Sequence, residues 1–226
     1  MGTFSIVATP IGNLEDITLR ALRVLKEADV IFCEDTRVTG KLLSHYEIKT
    51  PTKRYDAHAS DARHTEILER LEKGQRVVLV TDAGTPCISD PGFKIINTVR
   101  KELPDVTIEA IPGASALTSA LSIAGLATSE FTFLGFLPHK KGRETLFREI
   151  SASERAMVFY ESPHRLMKAL ESLTKVLEGE RRVAVARELT KIYETVVRGT
   201  AVEVFSYFEN HPDEVRGECV IIVEGV

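Results

Sequence analysis

The segment Arg76–Thr81 reads RVVLVT and runs straight into the loop TDAGTPCISDPG, Thr81–Gly92. A strand that is apolar on both alternations must be covered on both faces, as in a mostly parallel sheet with helices on either side. Sheets of that kind carry ligands outside the carboxyl ends of their strands, where this Gly- and Pro-rich loop falls. This pairing of buried strand and stiffened loop narrows the fold to the α/β class.

The neighbouring sequence agrees. Phe4–Thr9 and Val30–Cys33 read as short strands, and Ile17–Glu27 as a helix with Leu19, Leu22 and Leu25 on its apolar stripe and Asp16 as its cap. Ser60–Lys73 reads as a helix closed by Gly74, followed by helix Phe93–Leu103 and strand Val106–Ile111. This is βαβ logic with mostly parallel strands. After Pro112 and Gly113, Ala114–Ala124 reads as a helix of small residues, and the alternation restarts. Strands are expected at Phe131–Phe136, Ala156–Glu161, Val183–Arg187 and Glu218–Glu224. Helices are expected at Arg143–Ile150, along Leu166, Ala169, Leu170, Leu173 and Leu177, and at Ala201–Phe208. A length of 226 residues suits two domains, 1–115 and 116–226.

Charge and cysteine content remove several classes. Thirty-three Asp and Glu against 29 Lys and Arg give a net charge of -4, which argues against coating nucleic acid by charge alone. The three cysteines, Cys33, Cys87 and Cys219, have no CxxC spacing, so neither a disulfide framework nor a structural zinc site is expected. Cys33 and Cys219 lie in apolar runs and read as core residues. No HExxH, GxSxG, GxGxxG or GxxxxGK[ST] pattern is present, and no bound metal is expected. Without a signal peptide or a membrane-length apolar run, the expected compartment is the cytoplasm. The chain ends on the strand VIIVEGV, which favours truncation behind it.

Three loops share one character: TPIGNLED (Thr9–Asp16), TDAGTPCISDPG, and IPGAS (Ile111–Ser115). If they converge, they form a wall of backbone N–H and C=O groups suited to an adenosine-like ligand. Read singly, each is an ordinary turn. The second half carries YESPHR (Tyr160–Arg165), ARELTKIYE (Ala186–Glu194) and RGE (Arg216–Glu218). Glu161, His164 and Arg165 read as a helix-start network. On a helix, Arg187, Lys191 and Glu194 share a face. The loop HKKGR, with Arg37, Lys41, Lys53, Arg54 and Arg63, offers positive charge for RNA phosphates, or else a solvated surface.

Taken in order, FSIVATPIGNLEDITLRA, CEDTRVTGKLL, TDAGTPCISDPG, IPGASALTSAL, FLPHKKGR, FYESPHR, ARELTKIYE and RGE resemble the tetrapyrrole methylase superfamily, and within it the branch that methylates ribosomal RNA. The resemblance covers essentially the whole chain. It implies two α/β domains with S-adenosyl-L-methionine in the cleft between them, a homodimer, and 2′-O-methylation of a cytidine ribose in 16S rRNA of the small subunit. Ring methylases of the superfamily carry a GxGPG first loop, which this chain lacks. Members of the RNA branch extend past the last strand by several dozen residues, which this chain does not.

Carried over by motif, the cofactor contacts are Asp82, Ala83, Gly84, Thr85, Pro86, Cys87 and Ile88, then Pro112, Gly113, Ala114 and Ser115. The second domain adds the backbone of Phe159 and Tyr160, with Leu189 and Gly217. Pro10, Gly12 and Asn13 fall on the substrate side, and Arg37, Lys140, Lys141 and Arg143 on RNA phosphates. A carboxylate or neutral lysine within hydrogen-bond reach could take the 2′-hydroxyl proton, the candidates being Glu188 and Lys191, with Asp35, Glu161 and Glu194 behind them. Two other readings stay open, a C-methyltransferase of tetrapyrrole rings and a non-catalytic nucleotide-binding module.

Overall fold

The computed structural model describes residues 2–56 and 61–226. His58 and the expected helix start at Ser60 lie outside them. The chain divides into two compact units, Met1–Ser115 and Ala116–Val226.

Among the described residues, the first unit holds five strands, β1 (Thr3–Val7), β2 (Val30–Cys33), β3 (Thr52–Arg54), β4 (Arg76–Leu79) and β5 (Thr107–Ile111), in the order β3-β2-β4-β1-β5. Every pairing among them is parallel. Four helices connect them: α1 (Leu19–Glu27), α2 (Thr36–His45), α3 (Asp61–Glu72) and α4 (Phe93–Glu102). Strand alternation assigns the faces. Phe4, Phe32, Val77 and Leu79 pack with Ile67 and Leu71 of α3 and Ile95 and Val99 of α4. Val7, Ile31, Cys33 and Val78 point the other way, onto Ala21 and Leu25 of α1 and Leu43 of α2. The chain therefore leaves β1 over one face and β4 over the other. The carboxyl ends of these adjacent strands form the switch point where open α/β sheets bind ligands.

Local chemistry sets the helix starts. Thr18, not Asp16, caps α1, its side chain accepting from Ala21 N–H at 3.1 Å. Asp16 instead ends a 3-10 turn, Leu14–Asp16, capped by Asn13. Helix α2 and strand β3 fall in the basic stretch 36–54. The short, polar β3, TKR, carries too little pattern to be read from sequence.

The second unit holds β6 (Phe131–Phe136), β7 (Ala156–Glu161), β8 (Arg182–Arg187), β9 (Thr195–Thr200) and β10 (Cys219–Val223), in the order β6-β7-β10-β8-β9. Only β6 and β7 run parallel; the other three pairings are antiparallel. The sheet is thus mixed. Helices α6 (Arg143–Ala152), α7 (Pro163–Val176) and α8 (Ala201–Asn210) cover one face. There Phe147, Leu166, Leu170, Leu173, Val204 and Phe208 meet Met157, Phe159, Val185 and Ile221. The small-residue helix α5 (Ala116–Ile123) packs on β10. Helix α7 begins on Pro163, whose missing N–H costs nothing in the first turn. Helix α8 begins with a capping box between Thr200 and Glu203.

ARELTKIYE is not a helix. It leaves β8, turns, and enters β9 as a hairpin connection. A loop this short joins antiparallel strands only, and TVVRGT completes the hairpin. Among the described residues, no helix is long and apolar enough to cross a membrane.

Candidate active site

The three loops of the first unit are joined to one another. Thr9 and Gly84 form an isolated bridge, with Thr9 N–H donating to Gly84 O at 2.9 Å and Gly84 N–H to Thr9 O at 3.0 Å. Ala8 N–H donates to Ile111 O at 3.1 Å, and the Thr85 hydroxyl to Ala114 O at 3.2 Å. Glycine makes this closeness possible at two positions. Gly84 has φ 82°, a left-handed conformation that other residues adopt at a cost. At Gly113, a Cβ would meet that of Ala8 at 3.1 Å, tighter than ordinary contact. The joined loops cap the carboxyl ends of β1, β4 and β5. Ala83, Ile88, Pro112 and Gly113 are exposed along them; Pro86 is buried beneath, and Asp82, Thr85, Cys87, Ala114 and Ser115 are half-buried.

Pro10 and Asn13 are half-buried and Gly12 is exposed on the first loop. Asn13 uses its side-chain oxygen on Glu15 N–H at 3.1 Å. Cys87 stands at φ 72° and Ser89 at φ 67°. Burial pushes the Cys87 thiol up, so it is not a poised nucleophile.

Carboxylates gather beside this edge. The Asp35 N–H donates to Asp82 Oδ1 at 2.9 Å, and the Thr81 hydroxyl to Glu34 Oε2 at 3.2 Å. Burial, and then the neighbouring Asp82, raise the Glu34 carboxyl. Glu34 is not among the residues singled out from the sequence; its signal there is a charged residue directly after the buried strand VIFC. A bare backbone edge flanked by carboxylates suits a ligand read by main-chain groups and carrying positive charge.

Two expected catalytic carboxylates have other work. Asp35 caps α2, accepting from Arg37 N–H at 2.8 Å and pairing with the Arg37 guanidinium at 2.5 Å. These bonds hold its carboxyl well below the usual range, which makes it a weak proton acceptor at neutral pH. Glu161 is fully buried. Its oxygens pair with Arg143 at 3.3 Å and Arg165 at 2.7 Å, the latter at the start of α7. Nothing outside the protein reaches it. Arg143 is correspondingly no phosphate reader: it is 7% exposed, with its guanidinium over the Phe147 ring. Lys140 and Lys141 are exposed and enter no ion pair among the described residues. Arg37 extends into solvent although it is tied to Asp35, while Lys53 and Arg63 both pair with Glu66.

In the second unit, Glu188 and Lys191 stand together after β8. Lys191 Nζ lies 2.9 Å from Glu188 Oε1, and the Lys191 N–H donates to Glu188 O at 3.0 Å. Glu188 and Thr190 are both left-handed, at φ 49° and 64°. The Glu188 side chain lies flat against Gly217, where a Cβ would fall 1.8 Å from Oε1. ARELTK and RGE thus form one local constellation. Glu194 accepts from Thr190 N–H at 2.6 Å and holds the loop rather than joining the pair. Leu189 is buried. The Phe159 side chain is committed to the core, and Tyr160 stacks edge-on with Phe133 and Phe136. Among the described residues, no three His, Cys, Asp or Glu side chains are grouped to hold a metal.

Residues 3–204 match the model of a family described as Tetrapyrrole (Corrin/Porphyrin) Methylases. The Ribosomal RNA small subunit methyltransferase I of Thermotoga maritima is 43% identical over 225 residues, covering 100% of this chain and 99% of that protein. Its namesake in Synechocystis sp. is 45% identical over 227 residues, covering 100% of this chain and 80% of that protein. The namesake in Escherichia coli O157:H7 is 43% identical, covering 99% and 78%. Among solved structures, a cobalt precorrin-4 methyltransferase superposes with a TM-score of 0.70 at 18% identity, covering 98% of this chain and 94% of that one. The uroporphyrin-III C-methyl transferase of Thermus thermophilus, complexed with S-adenyl homocysteine, gives a TM-score of 0.65 at 21% identity, covering 99% and 97%. At these identities the solved structures share the fold.

Proposed function

The chain belongs to the tetrapyrrole methylase family, and on that premise we propose that it is an S-adenosyl-L-methionine-dependent methyltransferase that 2′-O-methylates a cytidine ribose in 16S ribosomal RNA of the small subunit. Relatives named as small-subunit ribosomal RNA methyltransferases, similar along the whole chain, support the substrate. The observation that carries the reading is the joining of the TPIGN, TDAGTP and IPGAS loops at the β1–β4 switch point.

When bound, S-adenosyl-L-methionine supplies a methyl group made electrophilic by its sulfonium. The Asp82–Ile88 and Pro112–Ser115 loops would hold it by main-chain groups. The carboxylates near the first-unit edge favour its positive charge. Pro10, Gly12 and Asn13 would position the ribose. Glu188 is the proposed general base: its carboxylate would take the 2′-hydroxyl proton, with the methyl–sulfur bond breaking as the methyl–oxygen bond forms and S-adenosyl-L-homocysteine leaving, and Lys191 would hold that carboxylate in place. Lys140 and Lys141, with Arg37, would bind phosphates. The active form is a homodimer in the cytoplasm, where ribosomal subunits reside, and it works without a metal.

The test is incorporation of label from methyl-labelled cofactor, offered isolated small subunits, naked rRNA and a porphyrinogen mixture in parallel. Alkali-resistant label at one ribose supports the reading, because a methylated 2′-oxygen cannot attack the adjacent phosphate. Label on the macrocycle alone would replace it with ring methylation. Sedimentation as a 25 kDa species at micromolar concentration would refute the dimer.

A further inference from the structure

Glu161 anchors more than the start of α7. Each of its two arginines has a second commitment. Arg143 Nη2 lies 3.3 Å from Glu161 Oε2, and its Nη1 donates to Pro138 O at 3.2 Å. Arg165 Nη2 lies 2.7 Å from Glu161 Oε1, and its Nη1 donates to Leu137 O at 3.1 Å. One carboxylate thus orients two guanidiniums, and these hold two successive carbonyls at the root of the loop that carries His139, Lys140 and Lys141. The side chains of Glu161, Arg143 and Arg165 are 0%, 9% and 18% exposed. The lysines beyond them are in solvent.

A pair of buried cations is costly without its anion, so removing the carboxylate would leave both guanidiniums uncompensated. A fold needing only packing here would be served by apolar side chains. A charged clamp on consecutive carbonyls instead fixes where a cationic loop stands. Phosphate contacts set the register of a protein on its nucleic acid, and such a loop works only if it is held in advance.

We propose that Glu161 is a positioning residue, which through Arg143 and Arg165 presets the Pro138–Gly142 loop so that Lys140 and Lys141 meet RNA phosphates. The proposal rests on the RNA-methylating reading given above.

The experiment is a double-mutant cycle on the whole chain, with a fluorescein-labelled small-subunit rRNA fragment as the probe and its affinity measured across salt concentrations. In the wild type, Lys140→Ala with Lys141→Ala should weaken binding about tenfold and lower the salt slope by about one to two units. Glu161→Gln should reproduce most of that loss, and adding the lysine changes to it should cost less than about twofold more. A full further tenfold loss in the Glu161→Gln background would overturn the proposal. Trypsin cleavage after Lys140 and Lys141, which involves no RNA, should accelerate at least about tenfold in Glu161→Gln at a temperature where the protein is folded. Unchanged cleavage would equally overturn it. Faster cleavage, with no effect of the lysine changes on wild-type RNA binding, would refute the RNA role of the loop while leaving the anchor standing. Should Glu161→Gln fail to fold, Arg165→Gln cuts one arm only and is held to the same two outcomes.

Discussion

Gly217→Ala tests whether RGE is the seat of Glu188. Gly217 has φ 72°, and an added Cβ would lie 1.8 Å from Glu188 Oε1, 2.4 Å from its Cδ and 2.8 Å from its Cγ. Three atoms of one side chain are too close, so the whole Glu188 side chain must leave. A non-glycine residue in the left-handed region costs about 1–2 kcal/mol. Loss of the Glu188–Lys191 pair, whose side chains are 17% and 38% exposed, adds about 0.2–1 kcal/mol at a partly screened site. The total is about 2 kcal/mol, or roughly 4–8 °C in melting temperature for a chain of this size. In a Glu188→Ala background the obstruction is gone, and only the backbone cost of Gly217→Ala remains. The two changes should therefore be less than additive by about 0.2–1 kcal/mol, the contribution of the pair that both remove.

Circular dichroism melts of the four proteins measure that cycle, and transfer of labelled methyl to small subunits at 25 °C measures the chemistry. Displacing a general base removes about 10²–10⁴-fold in rate, so Gly217→Ala and Glu188→Ala should be similarly impaired while still binding RNA. Strict additivity in stability would show that Gly217 does not seat Glu188. Full methyl transfer by folded Gly217→Ala would show that the seat has no bearing on the reaction.

Other outcomes follow from the same contacts. The folded Asp35 carboxyl titrates below its unfolded value, so its contribution to stability is complete above the usual carboxylate range near about pH 4 and is lost as pH falls through the depressed value. The melting-temperature gap between wild type and Asp35→Asn should be widest above about pH 5 and should close on acidification; a gap that widens toward acid would contradict the pairing. Burial pushes the Cys219 thiol up to about 12, so iodoacetamide at neutral pH should leave it unmodified in the folded protein. Alkylation as fast as in urea would refute that placement. At Gly92, with φ 137°, a Cβ would lie 2.5 Å from Cys87 Sγ. Gly92→Ala should destabilise the chain by about 1–3 kcal/mol and weaken S-adenosyl-L-methionine binding measured by calorimetry. Unchanged affinity would detach the TDAGTP loop from the cofactor.

The first unit was legible because its signals were redundant. RVVLVT reads as a doubly covered strand, and Leu22 and Leu25 face the sheet from α1 as their spacing requires, while Leu19, expected on the same stripe, stands 86% exposed at the first position of the helix. Strand β3 was missed because three polar residues on an edge carry no periodicity. Strand β9 was missed for a related reason: TVVRGT follows a charged segment whose spacing also fits a helix, and only the pairing of Arg187 with Thr195 decides for a hairpin. Pairing partners are distant information that a local pattern does not contain. Antiparallel order in the second sheet escaped sequence reading on the same ground.

Charged residues show a different limit. Composition reveals that a charge exists, whereas its chemistry depends on what neutralises it. Asp35, Glu161 and Glu188 are all carboxylates at or just past the end of a strand, so each qualified as a base. The fold separates them. Asp35 is occupied by the N–H and guanidinium of a residue two positions on. Glu161 is sealed beneath two arginines, one of them eighteen residues earlier. Glu188 keeps one lysine and one glycine beside it. The partner of Asp35 lies two residues on, within the same EDTR segment and so within reach of a local pattern. The clamp on Glu161 was not, because Arg143 looked like part of a basic loop and only burial reveals that it belongs to the core. A basic cluster read from sequence should therefore be divided by the carboxylates that the fold brings to it: here the division leaves Lys140 and Lys141 as the exposed charges of HKKGR, and it converts its arginine from a ligand contact into the support that holds them.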